Sequence, residues 1–221
     1  MQKFATAAAI ATVLDVPAGT IRFIAADRAD TTVEVLPANA SKSRDVKAAQ
    51  ETAVEFQGGV LRISAPKKNQ VFGASGAVEV TVQLPAGSSV EATAASAEFR
   101  GVGRLGEVSL ESAHGTVKLD EAAGLRLVLA AGDVAVGRLD GSADIRTQKG
   151  DLTIGEATGG TVTLRTEHGD ISVGAARGTS ASLDAGTSYG RISNALRNGG
   201  EGAVLNIHAT TSYGNITALT A

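Results

Sequence analysis

Residues 143–173 read Ala-Asp-Ile-Arg-Thr-Gln-Lys-Gly-Asp-Leu-Thr-Ile-Gly-Glu-Ala-Thr-Gly-Gly-Thr-Val-Thr-Leu-Arg-Thr-Glu-His-Gly-Asp-Ile-Ser-Val. A Gly, a polar residue and an aliphatic one recur within them, as Gly150-Asp151-Leu152 and Gly169-Asp170-Ile171. Around each Gly lie two apolar pairs at strand spacing: Ala143 and Ile145 with Leu152 and Ile154, then Val162 and Leu164 with Ile171 and Val173. Two strands of four or five residues joined by Gly turns cannot bury an apolar face alone, but stacked on copies of themselves they can. The motif returns on both sides, at Gly115-Thr116-Val117, Gly132-Asp133-Val134, Gly190-Arg191-Ile192 and Gly214-Asn215-Ile216. Successive glycines lie, by subtraction, 17, 18, 19, 21 and 24 residues apart. Ala97-Glu98-Phe99, 18 residues before Gly115, reads as a degenerate first copy. Parallel rungs of a β-solenoid and successive hairpins of an antiparallel meander both fit. The near-constant period places like residues in one column and favours the solenoid; the lengthening to 24 asks later rungs to bulge.

Upstream of the repeats the pattern is that of one-sided strands. Ile21 and Phe23 alternate with Thr20 and Arg22, and Val33 and Val35 with Thr32 and Glu34, across a turn at Asp27-Arg28-Ala29-Asp30. Pro17-Ala18-Gly19 reads as a turn closing the first strand, and Pro85-Ala86-Gly87 closes a later one carrying Val78, Val80, Val82 and Leu84. Val54 and Phe56, then Leu61 and Ile63, flank Gly58-Gly59 as a hairpin. After the polar stretch Ser41 to Asp45, Val46-Lys47-Ala48-Ala49-Gln50-Glu51 suits one or two helical turns capped by Ser43, and Pro66 to Gly76, with Lys67, Lys68 and Phe72, reads as a solvated loop. The expected fold is therefore all-β. Antiparallel strands over residues 1–90 cap and lead into a solenoid-like stack over residues 91–221, as one continuous unit.

Composition narrows the function classes. Aromatics are 3% of the chain and Trp is absent, so the core must be Val, Ile, Leu and Ala. A net charge of -3 argues against nucleic acid, whose binding needs a basic field to displace counterions. Without Cys there is no disulfide scaffold, thiolate metal site or Cys nucleophile. No apolar run reaches the length of about 18 residues that a membrane span requires. Lys3 followed by Phe4 to Leu14 is weakly signal-like, but Asp15 and Pro17 crowd the cleavage site, and a first β-strand is the preferred reading.

The order of a strand-rich start, a strand closing in Leu84-Pro85-Ala86-Gly87, repeated Gly-Asp-Ile units and a final Thr211-Ser212-Tyr213-Gly214-Asn215-Ile216 resembles the Toast-rack domain, a bacterial "putative adhesin" family of unknown function. The resemblance spans nearly the whole chain. It implies a solenoid-like all-β stack and a prokaryotic source, and supplies no catalytic residues. Members similar to this chain begin at the first strand without a leader, which implies a cytoplasmic location; others sit outside membranes beside stress-sensing modules.

The candidate binding surface is the residue column that follows each repeat Gly. Rungs stack about 4.8 Å apart, so Asp133, Asp151 and Asp170 form a ladder of carboxylates with Arg191 next. Oxygen ligands of this kind suit a divalent cation, and clustered carboxylates serve acid/base chemistry in β-helix enzymes. Gly-Asp is also a common solvated turn, which is the preferred reading, with Arg146, Lys149 and Arg165 near to offset the charge. His114 and His168 share a column three repeats apart, roughly 14 Å, too far for one metal; His208 belongs to another strand. Tyr189 and Tyr213 share a column and read as a stiffening ladder, or less favourably as a surface for a sugar. No nucleophile elbow or phosphate loop is present. The leading expectation is a non-enzymatic binding or scaffold module with no cofactor, engaging a protein partner or a second copy through an uncapped C-terminal strand edge. The rival is a polysaccharide-active enzyme using the Asp ladder.

Overall fold

The computed structural model describes residues 1–65, 76–197 and 204–221. They fall into two compact units, Met1–Gly115 and Thr116–Ala221. The loop expected around Lys67, Lys68 and Phe72 lies outside the described residues. No helix among them is long and apolar enough to cross a membrane.

In the first unit the centre is β2 (Ala11–Ala26). Its two halves pair in parallel with β5 (Val60–Ser64) and β6 (Val78–Pro85), as in Leu14↔Ile63 and Phe23↔Val82. On its other side it runs parallel to β7 (Ser89–His114). Leu14, Ile21, Phe23, Leu61, Ile63, Val82 and Phe99 are all at most 2% exposed, and Phe23 meets Phe99 at 5.4 Å between ring centroids. The hairpin expected around Gly58-Gly59 is present as β4 (Ala53–Gln57) antiparallel to β5. The pairs β1 (Gln2–Ala5) with β3 (Asp30–Pro37) and β3 with β6 are antiparallel too, whereas the central strand β2 pairs in parallel where antiparallel strands were expected. The residues that look signal-like thus supply β1 and the first half of β2.

Two local expectations are corrected. Pro17-Ala18-Gly19 does not end a strand; β2 continues through it, and Gly19 takes φ +140 with its missing Cβ 1.7 Å from the Val78 carbonyl oxygen. Gly19-Thr20-Ile21 is therefore another copy of the repeat motif, in register with Ala97-Glu98-Phe99. The helix α1 runs Ser43–Glu51, but Ser43 is its first residue and not its cap; Lys42 holds the cap position with no side-chain bond. Buried Asp45 anchors the helix by accepting the Ala77 N–H at 3.1 Å.

The second unit is a stack of two-strand rungs. β8 (Val117–Ala131) pairs in parallel with β9 (Val134–Leu139) and β10 (Ala143–Lys149). β9 and β10 pair in turn with β11 (Leu152–Ala157) and β12 (Gly160–His168), and β11 with β13 (Ile171–Ala175). Every one of these pairings is parallel, which excludes the meander and sets the solenoid. Apolar columns run through the interior, such as Leu127, Ile145, Leu164 and Ala209, each 0% exposed.

The stack departs from sequence order at its far end. β14 (Ser180–Tyr189) and β15 (Ile192–Ala195) follow β13 along the chain, yet β12 and β13 pair with β16 (Val204–Tyr213) and β17 (Ile216–Thr220). β14 and β15 lie on the other side of β16 and β17. Among the described residues, the open edge expected at the C-terminal strands is therefore carried by β14 and β15, while β16 and β17 are paired on both sides. Side chains give the reason. Residues 204–220 place Leu205, Ile207, Ala209, Ile216 and Ala218 inward, none more than 1% exposed. Residues 180–195 offer Leu183, Ala185, Ile192 and Asn194 to the same columns. An amide sealed in a two-sided apolar column costs about 1–3 kcal/mol; at the outer place Asn194 is exposed and its Oδ1 accepts the Leu196 N–H at 3.1 Å. The lengthening spacings of 21 and 24 residues reflect this excursion and return.

Candidate functional site

Four ladders meet where the chain turns between the two strands of each rung. The first is glycine itself. Gly132, Gly150, Gly169 and Gly214 sit at φ of +145 to +153, and a Cβ on Gly150 would lie 2.1 Å from the Gly132 carbonyl oxygen. Both the backbone angle and the close approach exclude a side chain there. Main-chain bonds tie these turns together: Gly150 N–H donates to His168 O, Gly169 to Tyr213 O and Gly214 to Tyr189 O, each at 2.9 Å.

A hydroxyl ladder stands behind the glycines. Thr166 Oγ1 donates to Gly150 O at 3.1 Å, Thr211 Oγ1 to Gly169 O at 3.1 Å and Thr187 Oγ1 to Gly214 O at 3.0 Å. Thr147 bonds Lys149 O within its own rung at 3.2 Å. No expectation fell on these threonines, although the signal is plain: Thr recurs three positions before Gly150, Gly169, Gly190 and Gly214.

On the solvent side, Asp133, Asp151 and Asp170 do form one column. Asp133 Oδ1 accepts the Asp151 N–H at 2.9 Å and Asp151 Oδ1 accepts the Asp170 N–H at 2.8 Å. The residue after Asp170 is Asn215, not Arg191, because of the rung order. Asp170 Oδ1 accepts the Asn215 N–H at 2.7 Å and its Nδ2–H at 3.3 Å; Asn215 Oδ1 then accepts the Arg191 N–H at 3.1 Å. Each side chain thus caps the peptide of the next rung, an Asx bond repeated across the stack. Arg146 does not serve the ladder; it forks onto Asp144, Nε to Oδ1 at 3.0 Å and Nη2 to Oδ2 at 2.8 Å. Among the described residues no three His, Asp or Glu side chains gather as a metal site.

Tyr189 and Tyr213 are neighbours, stacked at 4.9 Å between centroids with planes 4° apart. His168 extends the same column, 5.0 Å from Tyr213 at 9°. Tyr213 is sandwiched by face, and Tyr189, 67% exposed, ends the aromatic column. His208 lies elsewhere on β16, with Nδ1 3.3 Å from Asp184 Oδ2.

Comparison with solved structures agrees with this architecture. A "putative adhesin" from Parabacteroides distasonis is 15% identical, covers 98% of this chain and 95% of its own, and superposes with a TM-score of 0.54. A "putative adhesin" from Bacteroides fragilis is 14% identical (99% and 95% covered, TM-score 0.46), as is a "putative lipid binding protein" from Parabacteroides distasonis (97% and 95%, TM-score 0.46). At 15% identity the likeness to the first of these is one of fold. No curated protein matches the chain. The family model named Toastrack DUF4097 matches residues 12–220, nearly the full length, and the chain belongs to that family.

Proposed function

We propose that this chain is a non-enzymatic binding or scaffold module that presents the regular outer face and open edge of its stack to a protein partner, a second copy included. The observation that carries the reading is the use of the Asp ladder. Asp133, Asp151 and Asp170 each commit Oδ1 to a main-chain N–H of the neighbouring rung. That is the work of a turn cap, whereas an acid/base pair needs its oxygens aimed at a substrate. The two relatives described as adhesins are consistent with a binding role, and the edge of β14 and β15 is the place for an added strand.

The test against the polysaccharide-active alternative is the double variant Asp151→Asn, Asp170→Asn. It keeps both Oδ1 acceptors and removes both charges. The scaffold reading expects no chain cleavage of polygalacturonate or hyaluronan by the unmodified protein and a fold unchanged in the variant. Cleavage by the first that is lost in the second would overturn it. For self-association, sedimentation equilibrium at high concentration should show dimers, and Ile192→Lys, which puts a charge on the open rung, should return monomer. A monomer throughout would remove the second copy as partner.

A further inference from the structure

The slot between β12–β13 and β14–β15 is filled out of turn, and two segments of the chain fit it by backbone register. Across the three rungs the columns are continuous: Val162↔Ile207↔Leu183, Leu164↔Ala209↔Ala185, His168↔Tyr213↔Tyr189 and Ile171↔Ile216↔Ile192. Thr-Ser-Tyr-Gly stands at both 187–190 and 211–214. The slot therefore selects its occupant by column chemistry and register, and not by continuity of the chain. Residues 204–220 win it because their inward side chains are apolar apart from Thr211, whose place in the competing rung is taken by Thr187, whereas that rung would also bring Asn194.

The bonds that hold the inserted rung are of a kind any copy of the chain supplies. Asn215 bonds Asp170 and the Arg191 N–H, Thr211 bonds the Gly169 carbonyl, Thr187 bonds the Gly214 carbonyl, Asn206 bonds Ser182 and His208 meets Asp184, beside the main-chain ladders. We propose that the rung at 204–220 is exchangeable: two copies of this chain associate by donating it into each other's slot. The partner is a second copy, and each bond broken within one chain is re-formed, unchanged in kind, between two. From Arg197 to Val204 are seven Cα steps, which span at most roughly 25 Å, about five rung spacings, so the donated rung need not stay beside its own β15. Exchange rests on the self-association proposed above, and runs through the inner slot where that proposal used the outer edge of β14 and β15.

The chain contains no Cys, so a disulfide introduced by substitution reports one contact. Ser182 and Asn206 face each other on β14 and β16, with side-chain oxygens 2.9 Å apart. The single variants Ser182→Cys and Asn206→Cys are mixed, unfolded, refolded together at high concentration and oxidised. Exchange predicts a disulfide-linked heterodimer as the main covalent species, and none when Ser182→Cys is paired with Thr153→Cys on β11. The double variant Ser182→Cys, Asn206→Cys, refolded at low concentration, provides the internal standard by cross-linking within one chain. If the standard cross-links and the mixture gives no heterodimer, exchange is overturned. Sedimentation of the mixture separates the two readings: a dimer without the cross-chain disulfide leaves self-association standing by another route, and a monomer ends both.

Discussion

Gly150 shows what one residue does in this stack. Its φ of +145 is strained for any L side chain, and its missing Cβ would overlap the carbonyl oxygen of Gly132 in the rung before. Gly150→Ala should cost about 3 kcal/mol, from strained backbone of about 1–3 kcal/mol together with displacement of the neighbouring rung; chemical denaturation of the two proteins measures it. Asp30 supplies a test of a different kind. Hydrogen bonds from Arg28 and then Lys3 lower its carboxyl to about 2, against an ordinary value of 3.8. A depressed carboxylate contributes stability that is complete above its unfolded value and is lost as pH falls through its folded one. The stability advantage of the natural protein over Asp30→Asn should therefore be constant above about pH 4 and disappear between about pH 4 and 2, as an acid titration of unfolding midpoints will show. The role of Gly150 was legible in the repeat. That of Asp30 was not, since only pairing of β1 with β3 brings Lys3 to it.

At the scale of the strand, position in the stack sets the energy. Ile207 is 0% exposed between two rungs, while Leu183 occupies the same column at the outer edge and is half-buried. Ile207→Ala should cost about 3–4 kcal/mol, and Leu183→Ala about 1 kcal/mol, because the second site is already partly hydrated and leaves no enclosed cavity. Thermal or denaturant unfolding of the pair checks the ratio. Equal losses would mean that the outer rung is covered on both sides. The alternation of apolar residues identified these strands individually. It marks which face is buried but carries no information on which strand lies alongside, so the parallel pairing of β2 with β5, β6 and β7 did not show in the pattern.

For the molecule as a whole, the exposed ladders contribute order along the stack. Asp133, Asp151 and Asp170 have an oxygen each engaged by a peptide N–H, and the melting temperature should be the same with and without millimolar Ca²⁺. A rise with Ca²⁺ that Asp151→Asn abolishes would show that the ladder takes up a cation after all. The sequence by itself determined the all-β class, the period of about eighteen residues, the glycine turns and the columns of Asp and Tyr, since each follows from local sterics and from spacing along the chain. Only the tertiary structure decided the order of the last two rungs. The Gly motif is nearly identical in both, so local chemistry cannot rank them. The choice is made by burial of one column, where Ala218 is sealed between two rungs and Asn194 is left at the edge with its own backbone partner.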